Sequence, residues 1–132
     1  MSKSLYNPKD NTFDEGAASK LLQMNENTVE AVKLFMERNA RFVTANQLRN
    51  VYARIRANEG KQDESQLAML RVQLAFIRGK SDRRSKGFHA LLKLLDEMVQ
   101  EVTAQKAELK QLKQFFEAIL AYHKYYENVK TR

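Results

Sequence analysis

Arg49 and Arg56 stand seven residues apart, and Arg71 and Arg78 repeat the interval. Seven residues make two turns of an α-helix, so each pair points one way. Lys80, Arg83 and Arg84 continue the positive charge directly beyond Arg78. Phosphates recur along a nucleic-acid strand, and guanidinium groups spaced one to two turns apart match that recurrence. Arginine's planar fork grips phosphate oxygens in pairs, which a lysine ammonium does not. These seven residues are the candidate nucleic-acid contacts, expected to share one solvent-open wall.

The surrounding charge supports that expectation. Residues 38–93 hold 13 Lys or Arg against 4 Asp or Glu, whereas residues 1–37 hold 4 against 6 and residues 94–132 hold 6 against 6. No acidic residue falls between Glu37 and Glu59, and from Arg71 to Lys93 only Asp82 opposes seven basic side chains. Charge kept only for solubility mixes its signs. Charge segregated this way marks a face for a polyanion, nucleic acid first.

Other chemistry finds little material. Catalysis needs convergent groups that attack, exchange protons or hold a metal. The chain has two histidines, His89 and His123, and no cysteine. There is no HExxH, no paired metal-ligand spacing and no glycine-rich phosphate loop. Each histidine reads as a helix-surface or core-edge residue. Asp96, Glu97 and Glu101 read as a solvated acidic face. The sequence is not that of an enzyme, and it calls for no metal or cofactor.

The elements that must position the arginines are helical. Four Gly and one Pro in 132 residues leave little punctuation for β-hairpins. Good helix formers dominate after residue 28. Residues 1–14, with the only proline and no period, read as a flexible tail before a helical-bundle domain over 15–132. A weak helical stretch follows at Ala17–Met24. A first long helix is expected from Asn27, with Glu30 as its capping partner and Val29, Val32, Phe35 and Met36 as its stripe. Thr44 with Gln47 opens the next, which buries Leu48, Val51, Tyr52 and Ile55 and ends at Asn58-Glu59-Gly60. Asp63 with Gln66 opens a third, carrying Leu67, Leu70, Leu74 and Ile77, with Gly79 as its left-handed cap.

Beyond the basic connection Lys80–Gly87, the stripe resumes at Phe88, Leu91, Leu92, Leu95, Val99 and Val102, then again from Leu109 to Leu120. No Gly or Pro follows Gly87, so residues 87–127 are open to one helix or two. A break near 103–107 is favoured, because a short domain packs two helices more easily than one rod. Phe35, Phe76, Phe88, Phe115 and Phe116 are expected in the core, and Tyr122, Tyr125 and Tyr126 in packing rather than base stacking. The expected fold is all-α, a compact bundle of about five helices. With no signal-peptide core at Met1–Leu5 and no apolar run of membrane length, the expected location is cytoplasmic.

Three segments, in order, resemble the small subunit of the Csm complex, the type III-A CRISPR RNA-guided effector. They are Thr44–Asn50, with its Leu48-Arg49 pair; Leu70–Phe76, closing at Gly79-Lys80; and Phe116–Tyr126, with its Glu-Ala, Ala-Tyr and Lys pattern. The resemblance spans residues 28–127. It implies an all-helical, non-catalytic subunit whose copies stack along the complex and hold guide and target RNA while other subunits cut, in antiviral defence. Arg49 and Arg71 match basic family positions. Lys80 stands where the family often has Arg, so paired gripping is not implied there. Arg56, Arg78, Arg83 and Arg84 rest on charge and helix position.

Three rival readings remain. A helical adaptor or homodimer would meet an acidic protein partner with its basic face. A DNA-binding helix-turn-helix is opposed by residues 58–62, longer and more polar than that motif's turn. A membrane-surface role is weaker, since the basic residues share helices with buried stripes.

Overall fold

The computed structural model describes residues 4–60 and 63–130. Its elements are a two-stranded hairpin, β1 (Tyr6–Asn7) and β2 (Thr12–Phe13), and helices α1 (Ala17–Leu21), α2 (Glu26–Asn39), α3 (Ala45–Ala57), α4 (Glu64–Lys80), α5 (Lys86–Thr103) and α6 (Leu109–Lys130), with a 3-10 turn at Ala40–Phe42. The fold is an all-α bundle in which five helices are long and α1 spans 5 residues.

The starts of α3 and α4 follow from their caps. Thr44 Oγ1 accepts from the Gln47 amide at 3.0 Å, and Gln47 Oε1 accepts from the Thr44 amide at 2.9 Å. Asp63 Oδ1 accepts from the Gln66 amide at 2.8 Å. Helix α2 starts earlier than expected, because Asn25 rather than Asn27 is its cap. Asn25 Oδ1 accepts from the amides of Asn27 and Thr28, and Thr28 Oγ1 accepts from the Asn25 amide. Thr28 is fully buried and also donates to the Leu21 carbonyl at 3.0 Å, so one hydroxyl caps α2 and ties it to α1. An exposed Glu30 has no such second role.

The helix ends differ from expectation at one place. Gly60, at φ +78°, supplies the left-handed residue beyond α3. Gly79 does not play that part in α4. It stays helical, and Ser81 stops the helix by turning extended while its Oγ donates to the Ile77 carbonyl at 2.7 Å. Helices α5 and α6 are separate. The Lys106 amide donates to the Glu101 carbonyl at 2.9 Å and the Gln105 amide to the Val102 carbonyl at 3.0 Å. That pair of bonds is a Schellman motif, with Gln105 in the left-handed region at φ +62°.

The largest departure is at the N-terminus. Residues 1–3 lie outside the described residues, but residues 4–14 are packed on the bundle rather than trailing from it. Tyr6 is buried, pairs with Phe13 across the hairpin, and meets Phe35 of α2 edge-on at 5.3 Å. Its hydroxyl donates to Asn11 Oδ1. Asn11 and Asn39 exchange reciprocal side-chain hydrogen bonds of 2.9 Å, and Asn39 also donates to the Phe35 carbonyl. This buried amide network has its polar groups paired, as burial demands.

The core is one cluster centred on Phe35, Met36, Phe88, Leu91, Leu95, Phe115 and Phe116. Phe76 is not part of it: it is 67% exposed. The buried row of α4 is Leu67, Leu70, Leu74 and Ile77, and Phe76 falls on the far side of that row with Met69 and Val72.

Two glycines on α4 and α5 distinguish close packing from open space. A Cβ at Gly87 would stand 2.1 Å from Asn39 Oδ1, whereas a Cβ at Gly79 would meet nothing within 4 Å. Gly87→Ala is expected to destabilise the fold by about 1–3 kcal/mol through overpacking, and Gly79→Ala to stabilise it by about 0.5–1 kcal/mol through helix propensity. Urea denaturation followed by circular dichroism checks both. Equal effects at the two sites would contradict the packing described.

Candidate nucleic-acid interface

Helix α4 turns a second row toward α5: Ala68, Arg71, Ala75 and Arg78, with Gly79 beyond. Small residues alternate with arginines along it, so the seam between the helices is not filled. Helix α5 contributes His89, Leu92, Lys93 and Asp96, and the connecting loop contributes Arg83. Together they line a groove of about 770 Å³. Leu74 and Leu92 are buried, whereas Ala68, Val72 and Ala75 are exposed.

A second cleft of about 480 Å³ adjoins the groove and shares Arg78, Arg83, His89 and Lys93 with it. Its other border carries Asp10, Asp14, Glu15 and Glu97, with Lys86 as the cation among them. The three shared cations therefore stand on the boundary between a lobe with apolar walls and a lobe with acidic ones.

The seven sequence candidates do not form one wall. Arg71, Arg78 and Arg83 meet in the groove. Arg71 is not a free fork there: Nε donates to Asp96 Oδ1 at 2.7 Å and Nη2 to Oδ2 at 3.2 Å. Asp96 also accepts from Gln100 at 3.0 Å, so the carboxylate is held in place and ties α4 to α5. Arg84 is likewise engaged, at 3.2 Å from Asp82. The Asp82 carboxyl is held below its ordinary pKa, first by the Arg84 backbone amide and then by the Arg84 side chain. Lys80 lies over the exposed ring of Phe76 at 5.3 Å, outside the groove lining.

Arg49 and Arg56 sit on α3, which contributes nothing to the groove lining. Arg56 lies 6.0 Å from the Tyr52 ring, and Tyr52 stacks on Phe116 of α6. The Tyr52 hydroxyl donates to Glu117 at 2.7 Å, and Lys113 stands 2.8 Å from Glu59 and 4.0 Å from Glu117. Glu117's hydrogen bond pushes the Tyr52 phenol up, and Lys113's hydrogen bond holds the Glu59 carboxyl down. Arg56 thus borders a carboxylate-bearing seam with α6. Among the described residues, no ion-pair partner lies within 4.0 Å of Arg49, Arg56, Arg78, Lys80, Arg83 or Lys93.

Sequence reasoning missed Lys93 and His89 as groove residues. Lys86 and Lys93 repeat the seven-residue interval that singled out the arginine pairs, so the signal for Lys93 was present. His123, in contrast, is buried at a core edge, with Nε2 2.6 Å from the Val43 carbonyl. Among the described residues no group of three or more metal-ligating side chains is found, and no helix is long and apolar enough to cross a membrane.

A family model described as Csm2 Type III-A matches residues 18–129. No curated protein and no solved structure matches the chain.

The two seams carry different expectations. Asp96→Asn is expected to cost no more than about 1 kcal/mol in urea denaturation, since the pair it breaks is partly exposed and screened. A larger loss would make this pair a main support of the fold. Glu59 has its folded pKa lowered, so its contribution is complete above the ordinary value of 4.5 and is lost as pH falls through the lowered value. Lys113→Met is expected to flatten the stability-against-pH curve in that acid window, read by thermal melts. An unchanged slope would contradict the pairing.

Proposed function

The chain belongs to the Csm2 Type III-A family, small subunits of the type III-A CRISPR effector complex, and from that premise we propose that it is a non-catalytic RNA-holding subunit. It grips the phosphate backbone of guide or target RNA through the α4–α5 groove and performs no bond-breaking itself. It works in the cytoplasm, in antiviral defence, beside other Csm subunits and further copies of itself.

The observation that carries this reading is the placement of Arg78, Arg83 and Lys93 around one open groove with no carboxylate within ion-pair distance among the described residues. A protein surface gains nothing in stability from cations gathered without counter-charges, whereas a polyanion gains counterion release from each. Contacts of this kind position a strand and do not read its sequence. Arg49 and Arg56, with Lys80, extend the proposed set as outlying cations. Arg71 and Arg84 offer no free forks to a phosphate, because Asp96 and Asp82 already occupy theirs.

A protein-interaction role has its own support. Met69, Val72 and Phe76 leave an apolar strip exposed on α4, at 52%, 56% and 67%. Stacking between copies or docking on another Csm subunit would cover it. The two roles are compatible, since the strip and the groove share only Val72 among these three residues.

The double variant Arg78→Gln, Arg83→Gln is expected to weaken single-stranded RNA binding to a similar degree for unrelated sequences. It is also expected to lower the salt slope by about 0.7 per lost contact. Fluorescence titrations at two salt concentrations measure both. Unchanged affinity, or a loss confined to particular sequences, would contradict the reading.

A further inference from the structure

We propose that the α4–α5 groove is a nucleotide site as well as a run of phosphate contacts: its apolar lobe takes one base of the bound RNA while the cations at its edge take the adjoining phosphate. This deepens the RNA-holding reading and rests on it.

The size and lining of the groove match such a ligand. A volume of about 770 Å³ lies within the range of small-molecule sites, which are apolar clefts with a few placed polar groups. A phosphate-binding surface alone needs no recess. Here the recess exists because Ala68, Ala75 and Gly79 occupy positions where larger side chains would close the seam, and a Cβ at Gly79 still meets nothing within 4 Å.

Arg71 has a use in this site that differs from gripping phosphate. Its two hydrogen bonds to Asp96 neutralise it and fix the guanidinium plane beside the groove. A fixed planar guanidinium is a stacking surface for a base. The charges then orient the nucleotide. Arg78, Arg83 and Lys93 stand where the two lobes meet, and beyond them Asp10, Asp14, Glu15 and Glu97 outnumber Lys86, the one further cation of the second lobe's lining, which disfavours a phosphate deeper in that lobe. The phosphate is thereby held at the boundary and the base is directed into the apolar lobe. His89, which also borders both lobes, carries a buried Nε2 with no hydrogen-bond partner among the described residues. A small rotation of its ring would offer that nitrogen to the ligand.

Ala75→Leu tests the slot without altering any charge. Position 75 is exposed and mid-helix, and leucine is a good helix former. Ala68→Leu, on the same row, serves as the second variant, and thermal melts confirm that each is folded. Affinities are measured for a short single-stranded RNA and for an abasic strand of equal length. The wild type is expected to bind the RNA at least about fivefold more tightly than the abasic strand, and the leucine variants to lose that preference while retaining abasic affinity, as base contacts of ordinary strength imply. Equal binding of both strands by the wild type, or a preference that survives in both variants, overturns the slot and leaves backbone gripping intact.

If neither strand binds, the RNA-holding reading fails, and amide shifts on adding adenosine monophosphate, adenosine or inorganic phosphate decide the slot separately. Shifts at Ala75, Gly79 and Leu92 with the nucleotide that exceed those with phosphate support it. Shifts that are the same for phosphate alone, or absent, refute it.

Discussion

The seam between α4 and α5 is packed on one side only, and the groove exists because of that constraint. Leu70, Leu74 and Ile77 of α4 and Leu91, Leu92 and Leu95 of α5 are buried. One row around α4, Ala68 and Ala75 leave the outer half of the seam unfilled, and Gly79 extends the opening toward the loop. The Arg71–Asp96 pair spans it from one helix to the other. Had larger apolar residues stood at 68, 75 and 79, the same arginines would border a closed surface. With small ones there, cationic side chains surround a recess.

The anchoring of α5 is a condition for this arrangement. Gly87, in the first turn of α5, lets Asn39 of α2 approach at a distance no side chain would allow. Asn39 in turn holds Asn11 and Tyr6, so the hairpin and α2 share one buried polar network and the start of α5 packs against it. The loop bearing Arg83 lies directly before that anchor. Asp82 stiffens it further by accepting from the Arg84 amide at 2.8 Å. The backbone that carries the groove cations thus lies on α4, on α5 and on the loop that Asp82 pins between them.

Much of this was legible in the sequence because it depends on local chemistry. Thr44 with Gln47 and Asp63 with Gln66 mark helix starts by reach alone, and the polar stretch Thr103–Lys106 breaks the stripe between α5 and α6. What was not legible depends on partners distant in the chain. Nothing near Arg71 signals that Asp96, 25 residues on, occupies its fork. Phe76 fits an apolar stripe by spacing, but the bundle offers α4 no neighbour on that side, so it stays exposed. Residues 1–14 show no period, and only the hairpin places Tyr6 and Phe13 against Phe35. Seven-residue intervals did identify helical faces, and yet two helices can aim such faces in different directions. Arg56 lies at the Tyr52 ring beside the α3–α6 seam, while Arg78 lines the groove with α5.

The most direct measurement is photochemical crosslinking of single-stranded RNA to the protein, with the linked peptides identified by mass spectrometry. Adducts are expected to concentrate in residues 68–93, on the walls of the α4–α5 groove. Adducts confined to α3, to the Tyr122–Tyr126 cluster or to the hairpin would contradict that placement.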